Sequence, residues 1–341
     1  MDERDRTLLD RVQAPLPLTA RPFAGVAGDV DMSESEIVER LRHLKDRGLI
    51  RRFGGVFDAK ALGWNSCLAA AAVPGDRLAE TNGHINRFPG VIHNYRRDHR
   101  FNLCFTLTTS SARVRERILR TIRDRTAVGE VEVFFARRVF RRRVTFALTP
   151  QENRERGGAE PAQPARASDA EVQGVGGMTA PERRILACLQ GDIPAVVRPF
   201  ARVGEKAGCP EGDVLAYLER WRQEGFLRRL AVLLRHRRSG FTANAMSVWE
   251  VTPERLEDVA GAIVRMAGVG HCYQRAPVPA FPYNLYAMLH GRSRERVREA
   301  AGRIRELAGV SGGELLFTLE EYKKTSLDFF AEEIPEEARD D

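Results

Sequence analysis

The chain has 341 residues, 43% hydrophobic and 30% charged, with a formal net charge of +7. This balance excludes a disordered chain, and no apolar run approaches the roughly 18 residues of a membrane-spanning helix. The charged opening MDERDRTLLD has no secretory character, so a cytoplasmic location is expected. The positive excess implies an anionic partner, for which nucleic acid, phosphates and polycarboxylates all qualify. Cys67, Cys104, Cys188, Cys209 and Cys272 form no C-x-x-C pair. That argues against a zinc site or a protein-held iron–sulfur cluster, and no metal site is expected.

Residues 1–60 are helical by pattern. Leu8, Leu9 and Val12 form one apolar stripe, and Ile37, Val38, Leu41 and Leu44 form a second at helical spacing. The second helix opens at SESE, with Ser33 as N-cap and Glu36 three residues later, and ends at Gly48. A short strand or wing, LIRRFGGVF, follows, so the segment reads as a winged helix-turn-helix. Residues 61–149 alternate: SCLAAAAV, a helix from about Asp76, VIHNY, FNLCFTLT, the helix SARVRERILRTIRD, then VEVFFARRVFRRRVTFAL. The order β-α-β-β-α-β predicts a ferredoxin-like sheet with helices on one face. The run from Arg137 to Arg143 is read as a strand with one basic edge, solvated in the first instance, with nucleic-acid contact or reach into an anionic pocket as the alternatives. Residues 150–178, rich in Gly, Pro, Ala and charge, read as a flexible linker.

The pattern is then written again. RTLLDRVQ from Arg6 recurs as RRILACLQ from Arg183, RPFAGVAG from Arg21 as RPFARVGE from Arg198, and RGLIRR from Arg47 as EGFLRR from Glu224. GVIHNYRR recurs as GVGHCYQR, and FNLCFTL as YNLYAML. The second copy comprises a winged helix-turn-helix over 179–238 and a ferredoxin-like domain over 239–334. The fold class is α+β, a tandem duplication that supplies an internal pseudo-dimer and leaves a homo-oligomer open.

The stretch HNYRRDHRFN, residues 93–102, falls at the central hairpin of the first sheet. Alternation puts His93, Tyr95 and Arg97 on one face, answered by Asn102, Cys104 and Thr106, while Leu103, Phe105 and Leu107 turn to the helices. Asn94 then also points toward the helices. The second copy sets out His271, Tyr273 and Arg275 with Asn284, Tyr286 and Met288. It has no counterpart to His99. The bland alternative is a strand face packed on another domain for His93 and Tyr95, and plain exposure for His99. His43, His84, His236 and His290 lack a supporting constellation and read as surface or core residues.

A winged helix followed by a ferredoxin-like domain resembles the Lrp/AsnC regulators. GVIHNYRRDHRFNLCFTL, RPFAGVA and EYKKTSLDFF bring the chain closer to their relatives, the siroheme decarboxylases, over nearly its whole length. The duplication within one chain is similar to the fused NirD–NirL type. Cys104 stands where that family usually has Trp. The resemblance implies decarboxylation of siroheme at two acetate side chains, giving 12,18-didecarboxysiroheme for heme d1 synthesis. An alternative heme route would need the same reaction. It also implies no added cofactor, because the iron arrives inside the substrate.

Loss of CO2 leaves carbanion-like density that must be protonated, which suits histidine, and arginines can clamp spectator carboxylates. The expected catalytic residues are His93 first, then His99, with Arg97 as clamp and Tyr95 as hydrogen-bond donor or stacking ring. Arg96, Asn102, His271, Tyr273, Arg275 and Asn284 are the expected substrate-binding residues. An axial position on the iron is the alternative role for these histidines. The first copy is favoured as the working site.

The rival function is transcription, or carriage of a tetrapyrrole without catalysis. A DNA-reading helix presents its N-terminus to phosphates and bases. Here that helix opens with Glu34, Glu36 and Glu39, and its duplicate with Glu211 and Asp213, which should repel DNA.

Overall fold

The fold was analysed in a computed structural model that describes residues 1–126, 128–142, 175–235, 242–309 and 312–334. Most of the expected linker, together with Arg143 and His236, lies outside the described residues.

The first unit begins with α1 (Glu3–Val12), α2 (Ala27–Val30) and α3 (Glu34–Asp46), followed by β1 (Ile50–Phe57). Asp2 and Asp5 form a capping box that starts α1. Ser33 accepts from the Glu36 amide at 3.2 Å to start α3, and Gly48, at φ 70°, ends it. The Glu36 carboxylate accepts from Arg4 and Arg40. Next come β2 (Asn65–Ala71), α4 (Leu78–Arg87), β3 (Val91–Arg97), β4 (Leu103–Thr109), α5 (Ala112–Thr126) and β5 (Val131–Arg142). The second unit repeats this with α6 (Ala180–Leu189), α7 (Pro199–Ala207), α8 (Glu211–Gln223), β6 (Leu227–Leu234), β7 (Ala243–Trp249), α9 (Leu256–Arg265), β8 (Val269–Arg275), β9 (Leu285–Gly291), α10 (Arg294–Ala308) and β10 (Gly313–Lys324).

The two helical modules share one core, in which Leu8, Phe23, Phe53, Phe200, Leu218 and Trp221 are buried. β1 is not a wing folded on its own module. It pairs antiparallel with its duplicate β6, Gly54 opposite Ala231. A Cβ at Gly54 would meet the Gly191 carbonyl oxygen at 2.5 Å, so glycine lets the strand pass under the end of α6.

Each α/β module has the expected ferredoxin-like sheet, β3-β4-β2-β5 in one unit and β8-β9-β7-β10 in the other. Two long strands join them. β5 pairs with β2 through Val131–Phe135 and with β8 through Ala136–Arg142. β10 pairs with β7 through Gly313–Phe317 and with β3 through Thr318–Lys324. The result is a closed eight-stranded barrel, which leaves no unpaired sheet edge.

Alternation divides every strand between two cores. Leu103, Phe105 and Leu107 face outward and pack with Ile85, Ile118 and Ile122 of α4 and α5, each such side chain contributing roughly 1.5–3 kcal/mol of burial. Leu285, Ala287 and Leu289 do the same with Ile263 of α9 and Ile304 of α10. The inward set includes Phe101, Cys104, Phe134, Phe281, Tyr286 and Leu316, an aromatic plug in the lumen. The open faces of the two sheets thus become the interior of one barrel. No described helix is long and apolar enough to cross a membrane.

Candidate active site

Strand β3 carries the first cluster. His93, Tyr95 and Arg97 alternate on the inner face, while Asn94 turns outward and donates to Asn82 and Asn86 of α4 at 2.9 and 3.0 Å. Arg97 is buried, 4% exposed, with its guanidinium 4.8 Å from the centroid of the Tyr95 ring. Its Nη1 donates to Thr318 Oγ1 at 2.5 Å and to the Leu316 carbonyl at 3.4 Å. Among the described residues it has no carboxylate partner, and burial lowers its pKa below the usual arginine range. Its Nε and the buried Tyr286 hydroxyl lack hydrogen-bond partners among the described residues, positions that an incoming carboxylate could satisfy.

His93 keeps part of its surface accessible yet lies deep among protein atoms. Burial is the main cause that pushes its pKa down to about 3, and the positive charges of Lys324 and Arg51 add to it. The imidazole is therefore neutral at pH 7 in the unliganded protein. Lys324 comes from β10 of the second unit, where it is the backbone partner of His93, and it lies 3.8 Å from Glu321. Arg51 comes from β1 and donates to Ser326 Oγ at 2.7 Å. Burial lowers its pKa, against the raising effect of Tyr95 and Glu321. The His93 cluster thus draws on the barrel strands of both units and on the paired strand of a helical module. That combination cannot be read from β3 alone.

The duplicated cluster is built alike but with different neighbours. His271 stacks on Tyr273, with centroids 5.8 Å apart and an interplanar angle of 12°, and its Nδ1 lies 3.0 Å from the tyrosine oxygen. Arg275 covers Tyr273 at 4.9 Å and Tyr286 at 5.5 Å, and donates to the Phe134 carbonyl at 2.7 Å. Arg142 is the backbone partner of His271.

Several expected residues lie elsewhere. Arg96 is exposed on the outer face of β3, because strand alternation turns it away from Tyr95 and Arg97. His99 lies past the end of β3, six residues beyond His93 and on the order of 20 Å along the chain. Its Nδ1 accepts from the Phe101 amide at 3.0 Å, its Nε2 meets Glu314 at 2.9 Å, and its ring stacks on Phe101. His93 and His99 are not brought together. The Asn102 amide clamps Val73, accepting from its N–H at 3.0 Å and donating to its carbonyl at 2.8 Å. Asn284 holds Val251 in the same way, at 2.9 and 2.6 Å. Both asparagines fasten the hairpin to the end of the first strand of their own sheet. Arg138 pairs with Glu257 at 2.6 Å, and Arg141 donates to the Val264 carbonyl, so these two arginines of the basic run on β5 are engaged internally.

One residue passed over in the sequence shares an electrostatic neighbour with His93. His290, on β9, is held neutral by burial, with its pKa pushed down to about 4, and Lys324 and Arg97 act on it from across the barrel. The only sequence signal was its place on the same strand face as Tyr286 and Met288.

Two family models match the chain. An AsnC-like ligand binding domain matches residues 61–141 and 238–323, and a siroheme decarboxylase NirDL-like HTH domain matches 5–51 and 182–228. A siroheme decarboxylase of Hydrogenobacter thermophilus is 34% identical over 96% of this chain and 95% of its own. The siroheme decarboxylase NirDL subunit of Paracoccus pantotrophus is 32% identical over 92% of each chain. A crystal structure of the siroheme decarboxylase NirDL in co-complex with an iron-uroporphyrin III analogue superposes with a TM-score of 0.71 at 31% identity, covering 97% of this chain and 96% of that one.

Proposed function

The chain belongs to the siroheme decarboxylase family, and from that premise we propose that it is a carboxy-lyase acting on siroheme. It removes CO2 from two acetate side chains to give 12,18-didecarboxysiroheme, and the fusion of both units in one chain favours a place in heme d1 synthesis. The observation that carries the reading is the His93 cluster, where Lys324 and Arg51 act on a buried, neutral imidazole and Arg97 lies over the ring of neighbouring Tyr95. A polycarboxylate ring carries the charge opposite to these cations.

In this reading Arg97 and Lys324 hold carboxylates by charge-assisted hydrogen bonds, and Tyr95 and Tyr273 offer ring faces and hydroxyls to the macrocycle. Breaking the bond to a carboxylate leaves an electron pair on the methylene carbon, and His93 donates the proton that completes the methyl group. The cost of charging a buried imidazole is offset by the substrate's own carboxylates. Iron enters as part of the substrate, and no other group supplies chemistry. His99, engaged by Glu314, takes a supporting place at the hairpin end.

DNA reading is disfavoured on electrostatic grounds. Glu34 at the start of α3 accepts from Arg21 at 2.9 Å, and Glu211 at the start of α8 accepts from Arg198 at 3.1 Å. The acids remain at both helix starts, and the arginines beside them are already paired.

The test is anaerobic incubation with siroheme, followed by chromatography and mass spectrometry of the pigment. Loss of two CO2 units is expected, and His93→Ala should abolish it while His271→Ala retains turnover with weaker binding. Siroheme that co-elutes unchanged with the wild-type protein would make the chain a carrier or sensor.

A further inference from the structure

The lumen faces of the two units differ clearly along one lateral row. In the first unit Ser66 on β2 lies opposite Thr108 on β4, and their hydroxyls close on each other at 2.7 Å. At the same register in the second unit, Asn244 on β7 lies opposite His290 on β9. Thr318 Oγ1 on β10 donates to Asn244 Oδ1 at 2.5 Å and accepts from Arg97 Nη1 of β3 at 2.5 Å. The row therefore runs from His290 through Asn244 and Thr318 to Arg97, across four neighbouring strands. It ends on the strand face that carries His93. Lys324 acts on both imidazoles, and Arg97 acts on His290 as well.

We infer that His290, contributed by the second unit, is a working imidazole of the His93 pocket and shares with His93 the delivery of protons to the substrate. The inference rests on the decarboxylase reading above. Each acetate that loses CO2 keeps the electron pair of the broken bond on its methylene carbon and needs one proton there, so one substrate molecule needs two. A single imidazole must be recharged from water between the two events. A second imidazole in the same pocket, charged by the same bound carboxylates, supplies the second proton without that delay. The two pseudo-symmetric clusters are then unequal by construction, because the first unit has only Thr108 at the equivalent position.

The test compares wild type with His290→Thr and with the double variant Asn244→Ser/His290→Thr, which installs the pair that the first unit already carries at this register. Pigment binding is followed by absorbance titration, and product by a mass-resolved time course at several pH values. Expected are accumulation of singly decarboxylated pigment, a final step slowed about 100-fold or more, and loss of one ionisation from the pH–rate profile, with affinity within about threefold of wild type. An unchanged time course and pH profile in the folded double variant would overturn the inference. A changed visible spectrum of the bound pigment with an unchanged pH profile would also overturn it, making His290 an iron ligand. If the wild type itself releases no CO2, the decarboxylase reading fails first and this inference with it.

Discussion

Binding of the polycarboxylate pigment should take up protons, and His93 should accept one of them. In the unliganded protein the His93 pKa is about 3, because burial and the charges of Lys324 and Arg51 oppose the imidazolium. At pH 6.5 it is then almost wholly neutral. A carboxylate brought to about 4 Å contributes about 4 kcal/mol at an effective dielectric of about 20, or about three powers of ten in proton affinity. One such contact carries His93 to about 6, and a second carries it past neutrality. The assay is titration calorimetry with iron-uroporphyrin III at pH 6.5, in two buffers that differ in ionisation enthalpy. The difference in heat should correspond to between about one and two protons per pigment, and His93→Gln should remove about one of them. Equal heats in both buffers, or an undiminished difference in the variant, would refute the claim that the substrate charges its own acid.

Asn102→Ala should lower stability by about 2–4 kcal/mol, since it removes two hydrogen bonds and leaves the Val73 backbone unsatisfied. Denaturant unfolding checks this, and pigment affinity should stay within about twofold. His93 and His290 have folded pKa values of about 3 and about 4 against an ordinary 6.5. Below pH 6.5 the unfolded chain binds protons that the folded chain refuses, so stability is full above that pH and falls as the pH drops toward 4. Between pH 7 and pH 5 each histidine should account for about 2 kcal/mol, seen in urea midpoints and reduced in His93→Gln. Arg97→Gln should weaken pigment binding by about 10–100-fold, the worth of a charge-assisted hydrogen bond, measured by absorbance titration. Labelled duplex DNA should show no steeply salt-dependent binding; a slope of several released ions would reopen the transcriptional reading.

The sequence by itself determined what depends on short-range periodicity. The duplication, the capped helices, the β-α-β-β-α-β order and the turning of His93, Tyr95 and Arg97 to the face opposite Leu103, Phe105 and Leu107 all follow from spacings of two and 3.6 residues. These patterns are set by local backbone geometry, so a single strand or helix reveals them. What lies across a strand's free edge is not local. β5 and β10 read as ordinary last strands, and only the tertiary structure showed each leaving its own sheet to pair with β8 or β3. That crossing closes the barrel, turns two open faces into one interior, and brings Lys324 and His290 of the second unit to His93 of the first. The same limit explains Asn102 and Asn284, whose polar side chains looked available for substrate until the backbone of Val73 and of Val251 was found against them. A residue's chemistry can be read from its name. Its partners are set by contacts tens to hundreds of residues away in the chain, fixed by the packing of the whole fold rather than by any local spacing.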